Sequence, residues 1–299
     1  MSYTKANDKP ERDLINYNTV FGPDLRAVET EISANTRMRT LVSKFERGDV
    51  SVSDSHIKDV VGFLHALDFV ERPEDRIVDA INQDELVGAD IDTSFETRLL
   101  YHLRQQDPPQ DHFTRIHDVA ISNSGKLTTR EQLLTDLNRE LDSYDFEWNE
   151  QKVKMWDRLF SNLGVISRTT EEGIILAPSR GLIHELLSLH AEIQESDDLN
   201  DALTWIENNF IKVYSSRAGT PTVHVAVAQV LENMEEDETV TFRGMADASN
   251  EVKLPASSTA GVESRLLKSY SINDKPTERA AYALPMDQTD NPRIMGDVA

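Results

Sequence analysis

Residues 149–178 read NEQKVKMWDRLFSNLGVISRTTEEGIILAP, and this stretch decides the fold. Asn149 opens a helical run in which Val153, Trp156, Leu159 and Phe160 recur at the three- and four-residue spacing of one buried face. The run passes directly into Leu163-Gly164-Val165-Ile166-Ser167-Arg168, a first short apolar strand. The turn Thr170-Glu171-Glu172-Gly173 then leads to a second, Ile174-Ile175-Leu176-Ala177-Pro178. Two short apolar runs about a Gly-containing turn predict a β-hairpin. A helix that feeds a hairpin in this way lets alternate strand residues cover the core that the helix has begun.

Upstream of this stretch the spacing predicts a helix over Arg130–Leu141. Its opening, Leu127-Thr128-Thr129-Arg130-Glu131, reads as a capping box, with Thr128 as cap and Glu131 three residues on. His112–Ile121 reads as another helix. So do residues 93–106, which carry Phe95, Leu99, Leu100 and Leu103 and are stopped by Asp107-Pro108-Pro109. The same order occurs earlier in the chain. One helix starts at Pro23-Asp24 with Leu25, Val28 and Ile32 on one face. A second covers Thr36–Glu46, with Met38, Leu41, Val42 and Phe45 inward, and Gly48 ends it. A third follows Ser53 as cap, with Ile57, Val60, Val61, Leu64 and Leu67 at helical spacing. Phe69-Val70-Glu71-Arg72, a charged turn Pro73-Glu74-Asp75-Arg76, and Ile77-Val78 complete the unit.

Downstream, Ser179–Glu195 and Leu199–Phe210 read as two helices that extend the second unit. A weaker third copy is expected at the C-terminus: a helix over Val223–Met234, a strand over Thr239–Phe242, helices over Arg243–Ser249 and Ser258–Tyr270, and a wing within Ser271–Ala283.

The phrase Phe63-Leu64-His65-Ala66-Leu67-Asp68-Phe69-Val70-Glu71-Arg72 resembles the join between third helix and wing in winged-helix domains. The element order of residues 112–178 resembles them as well. The resemblance covers about two thirds of the chain and rests on element order rather than on a signature motif. It implies a mainly α fold with small β-wings, in tandem winged helix-turn-helix units. The expected organisation is a disordered arm at 1–20, winged-helix-like units at 21–92, 93–210 (with helical extension) and 211–285, and a disordered tail at 286–299. Archaeal regulators resemble this arrangement. So do the tandem winged-helix proteins that bind kleisin subunits of chromosome-organising complexes, and accessory proteins of archaeal defence clusters.

Composition bounds the function. At 299 residues the chain exceeds one small domain. With no apolar run near ~18 residues, no membrane partner is expected. The polar, acid-bearing MSYTKANDKPERDLINYN start does not read as a signal peptide, so a cytoplasmic location is expected. Zero cysteines exclude disulfides, thiol nucleophiles and thiolate metal sites. The net charge is −22 and the acid is spread along the chain, which describes a solvated surface rather than an acidic tail. Arginine outnumbers lysine and Asp is as common as Glu, a pattern that resembles proteins of extreme halophiles. At ~1 M salt the Debye length is about 3 Å, so net charge loses most of its power to forbid DNA binding.

No constellation supports catalysis, a cofactor or a small-molecule substrate. His112 and His117 are five residues apart and His184 and His190 six, so neither pair has metal-ligand helical spacing; surface or capping roles are expected for the histidines. Ser124-Gly125-Lys126-Leu127-Thr128 lacks the upstream glycine of a phosphate loop. What remains is binding. In a winged helix on DNA the third helix enters the major groove and the wing touches backbone, through Lys, Arg, Asn and Gln. The second unit offers Asn149, Gln151, Lys152, Lys154 and Arg158 on the helix and Arg168 on the wing strand. A solvated helix face accounts for the same residues. The first unit's His56, Lys58 and His65 stand among Asp54, Asp59 and Asp68, a poor nucleic-acid face; Arg243, Lys253, Arg265 and Lys268 make a mild basic cluster in the third. Two readings follow: a DNA-binding regulator or DNA-associated accessory protein, or a protein-binding scaffold subunit of a larger complex, with a protein partner or a homo-oligomer.

Overall fold

The computed structural model describes residues 13–45, 54–74, 77–80, 93–141, 147–169, 173–244, 250–255 and 264–273. The chain is mainly helical with small sheets. Its first repeat consists of α1 (Gly22–Thr30), β1 (Thr36–Arg37), α2 (Met38–Phe45), α3 (Asp54–Ala66), β2 (Val70–Glu74) and β3 (Ile77–Ala80). Pro23 stands in the first turn of α1, where its missing N–H costs nothing. Strand order is β1-β3-β2, with Thr36 opposite Val78 and Val70 opposite Ala80. Leu25, Val28, Leu41, Ile57, Val60, Val61, Leu64 and Leu67 fill the core as their spacing requires. Ser53 and Gly48, expected to bound α3 and α2, lie outside the described residues, as does the Asp75-Arg76 part of the turn.

After α4 (Phe95–Arg104) the second repeat follows: α5 (His112–Asn123), β4 (Leu127–Thr129), α6 (Arg130–Glu140), α7 (Glu150–Asn162), β5 (Ser167–Arg168) and β6 (Gly173–Ile175). Strand order is again first, last, middle: β4-β6-β5, with Thr128 opposite Ile174 and Ser167 opposite Ile175. The hairpin expected from residues 163–178 is present, and the Thr170–Glu172 part of its turn lies outside the described residues. Gly173 fits closely there, since a Cβ would stand 2.7 Å from the Thr169 Oγ1 and 2.9 Å from Leu127 Cδ1, and those two side chains would have to shift to admit it. The helix cap is displaced by one residue from expectation. Thr129, not Thr128, accepts from the backbone N–H of Gln132, because Thr128 is buried in β4 against Ile174.

The helices α8 (Arg180–Gln194) and α9 (Leu199–Asn209) start on Ser179 and Asp198, whose side chains accept from Leu182 N and Asp201 N. Beyond them come β7 (Tyr214–Ser216), β8 (Thr222–Val223), α10 (Val225–Glu236), β9 (Val240–Arg243), β10 (Val252–Leu254), β11 (Arg265–Leu267) and β12 (Ser269–Ile272). They form a sheet ordered β11-β10-β8-β7 and a pair β12-β9. The helix expected over Ser258–Tyr270 is therefore corrected: from Arg265 on, the chain is strand. Leu266, Leu267 and Tyr270 imitate helical spacing, but Leu266 is exposed while Leu267 and Tyr270 are buried. Lys268 breaks the run between the two strands by donating its N–H to Arg243 and accepting from Leu199. Arg243, expected to open a short helix, ends β9; residues 245–249 and the remaining wing residues 274–283 lie outside the described residues, with the tail.

The expected N-terminal arm is corrected from residue 13 on. Leu14–Asn16 form a 3-10 turn, and Leu14, Ile15, Tyr17 and Val20 are buried. Such a short strap shows no periodicity in sequence, yet it closes the joint between the repeats. Tyr17 meets Phe63 edge-on at 5.7 Å, Phe63 meets Phe113 at 6.1 Å, and Phe113 stacks on Phe160 at 6.3 Å. The two repeats thus share one core.

Candidate nucleic-acid interface

The six residues expected to touch DNA sit on α7 and β5, and the fold disposes of them unequally. Asn149 is exposed and caps α7, its Oδ1 accepting from Lys152 N at 3.1 Å. Lys152 folds back so that its ammonium donates to the carbonyl of Glu147. Partial burial holds that ammonium below the usual lysine range, against the pull of Glu147 and Asp13. Arg158 lays its guanidinium over the Phe21 ring at 5.3 Å, where the strap enters α1. Arg168 donates from Nε to Asp157 Oδ1 at 2.9 Å. Gln151 and Lys154 are exposed on the same side of the helix, flanked by the exposed carboxylates of Glu147 and Glu150.

Asp157 is the residue that the sequence reading passed over. It is fully buried on α7 and takes Arg168 on one oxygen and Arg130 on the other, the latter through Nε at 3.0 Å and Nη2 at 2.6 Å. Two guanidinium groups, each about a quarter exposed, tie α6 and β5 to the third helix of their own repeat. Their charge is spent on that tie. An acid at a helical position whose neighbours 153, 156 and 160 are all core was the signal available in the sequence.

The strap lies along both third helices. On α7 it places Phe21 under Arg158, and the Cβ that Gly22 lacks would stand 2.8 Å from Asn162 Cβ. On α3 it lays Tyr17 against Gly62, whose added Cβ would meet the Tyr17 hydroxyl at 3.1 Å, and joins Thr19 Oγ1 to Asp59 Oδ2 at 3.2 Å. The face of α3 keeps Ser55 and Lys58 exposed; His56 is buried and its Nε2 pairs with the buried Asp24 at 2.9 Å. In the C-terminal part, Arg265 is bound to Glu235 and Lys268 to Asp198, so two of the four cations of the mild basic cluster are paired locally, while Arg243 and Lys253 are exposed.

The histidines depart from expectation. His56, His102, His112, His117, His184, His190 and His224 are buried rather than at the surface, and only His224 caps a helix. Burial lowers His102 and His112 to about 4 and His117 to about 3. Neutral imidazoles act here as core rings: His102 lies 4.5 Å from Phe69, and His117 lies 5.5 Å from Phe160. Among the described residues, no group of three or more His, Asp or Glu is placed to hold a metal, and no helix is long and apolar enough to cross a membrane. No family model, curated protein or solved structure matches the chain.

Proposed function

We propose that this chain is a protein-binding scaffold built on two winged-helix repeats, rather than a reader of DNA. The winged-helix reading is supported by the shared order helix, strand, helix, helix, strand, strand, with the first strand paired to the last in both repeats. The single observation that carries the scaffold reading is the state of the second repeat's cations. Lys152 is turned onto Glu147, Arg158 onto Phe21 and Arg168 onto Asp157, so three of the four cations needed at phosphate are engaged within the chain. The strap along α3 and α7 narrows the approach that a DNA groove would need. An evenly acidic surface suits a partner presenting basic residues. Gln151 and Lys154 are the residues that favour the DNA reading, being exposed side by side.

The deciding experiment is anisotropy of labelled mixed-sequence duplex from about 0.1 to about 1 M KCl, with the fold monitored by circular dichroism at each salt. The folded wild type is expected to show no saturable binding. Saturable binding that a folded Lys152→Glu/Lys154→Glu variant loses would reject the scaffold reading and place the protein on DNA through α7.

A further inference from the structure

The C-terminal part meets the second repeat where the α5–β4 turn touches the start of α10. His224, 2% exposed, stands at that joint and uses both ring nitrogens. Its Nδ1 accepts from Ala226 N at 3.3 Å, capping α10, and its Nε2 contacts the carbonyl of Ser124 at 3.0 Å. An acceptor at Nδ1 and a carbonyl at Nε2 together fix the neutral tautomer with the proton on Nε2. The surroundings are rich in cations. Lys212 donates to Ser122 Oγ at 2.7 Å on the end of α5, and Lys126 donates to Gln229 Oε1 at 2.8 Å on α10. The buried His117 of α5 lies within electrostatic reach of both His224 and Lys212. Of the acids in the neighbourhood, Asp118 binds Arg104, Glu207 takes Arg217 and the amides of Val213 and Tyr214, and Glu232 of α10 lies within electrostatic reach of Lys126.

We propose that this joint is an acid-sensitive latch, in which protonation of His224 uncaps α10 and frees its first turn from the Ser124 turn. A proton on Nδ1 replaces the acceptor of Ala226 N–H with a donor. It also sets a positive charge at the positive end of the α10 dipole, beside Lys212 and Lys126. Burial holds His224 below the usual imidazole range, in agreement with a closed latch that excludes the charged form.

Hydrogen exchange of the full chain in molar KCl tests this. Protection is compared between fragments covering 224–232 and 199–209 as pH falls from about 7 to about 5.5, after correction for intrinsic exchange. Below about 6.5 the opening of the α10 first turn is expected to grow by up to about tenfold per pH unit relative to α9. In His224→Asn, whose carboxamide still caps, that extra pH dependence is expected to vanish. Equal pH dependence of the two fragments in wild type would overturn the latch, as would its persistence in a folded His224→Asn. Should that variant not fold, long-range 1H–15N spectra of the wild-type ring decide: a proton on Nε2 alone at neutral pH supports the latch, and one on Nδ1 ends it.

Discussion

Asp157 shows how one buried charge organises its surroundings. The carboxylate is removed from water, and its desolvation cost is offset by Arg130 through two hydrogen bonds and by Arg168 through one. Asp157→Ala strands two partly buried cations and is expected to cost about 3 kcal/mol in urea unfolding at fixed salt. Arg168→Ala leaves the carboxylate one partner and is expected to cost about 1 kcal/mol. Equal small losses for both would mean that the triad does not hold β5 to α7. The buried histidines carry a second prediction. His102 and His112 are lowered to about 4 and His117 to about 3 by burial, so the unfolded chain takes up protons that the fold refuses. Stability is therefore complete above the unfolded value of about 6.5 and is lost as pH falls, by up to about 1.4 kcal/mol per pH unit for each such ring. Unfolding free energies at pH about 7.5 and about 5 are expected to differ by about 2 kcal/mol per ring, and His117→Leu to flatten the profile. A midpoint independent of pH across that window contradicts the burial of these rings.

Among the elements, the strap is the one whose importance is most directly measurable. Leu14 has no exposed surface, its N–H donates to Gln110 Oε1 at 2.8 Å, and Tyr17 begins the row of rings that joins the repeats. Leu14→Ala is expected to destabilise the chain by about 2–4 kcal/mol, whereas a loose arm would leave stability unchanged. Thermal unfolding in molar salt separates the two. The strap also marks where sequence patterning stops informing. The helices α1 to α3 and α5 to α7 announce themselves because periodicity over eight or more residues is a local property. The β5–β6 hairpin does so because its turn and both strands are contiguous. The strands β1 and β4 hold two and three residues, too few to alternate, and exist only because β3 and β6 pair with them from far along the chain, Thr36 with Val78 and Leu127 with Ile175, which is not a local signal. For the candidate interface, residue type and exposure of Gln151 and Lys154 were legible. The engagement of Arg158 was not, since Phe21 lies far upstream in the chain. Arg168 was misjudged for a nearer reason: its partner Asp157 reads as one more acid in a chain that has 53.

At the scale of the whole molecule the excess of carboxylates governs how solvent sets stability. With 53 acids against 31 Lys and Arg, mean repulsion opposes the compact state, and it weakens as the Debye length shrinks from about 10 Å at 0.1 M salt to about 3 Å at 1 M. Screening also weakens the surface ion pairs, such as Lys44 with Glu31 and Arg139 with Glu140. Each exposed pair contributes about 0–1 kcal/mol, so their loss is small beside relief of the net charge. The innermost pairs, Asp157 with Arg130 and with Arg168, are screened least because water reaches them least. We expect the unfolding midpoint to rise from about 0.1 to about 1 M KCl, and to rise as far in NaCl, because Debye screening depends on ionic strength and not on the ion. Sucrose supplies the control, since it favours compact states by exclusion without screening any charge. A midpoint that falls with KCl would show that the surface pairs outweigh the repulsion. A rise in sucrose equal to that in KCl would show that exclusion, not charge, is responsible. A rise confined to salt would tie the acidic surface to a saline environment, and would set molar KCl as the condition in which DNA and protein partners are compared.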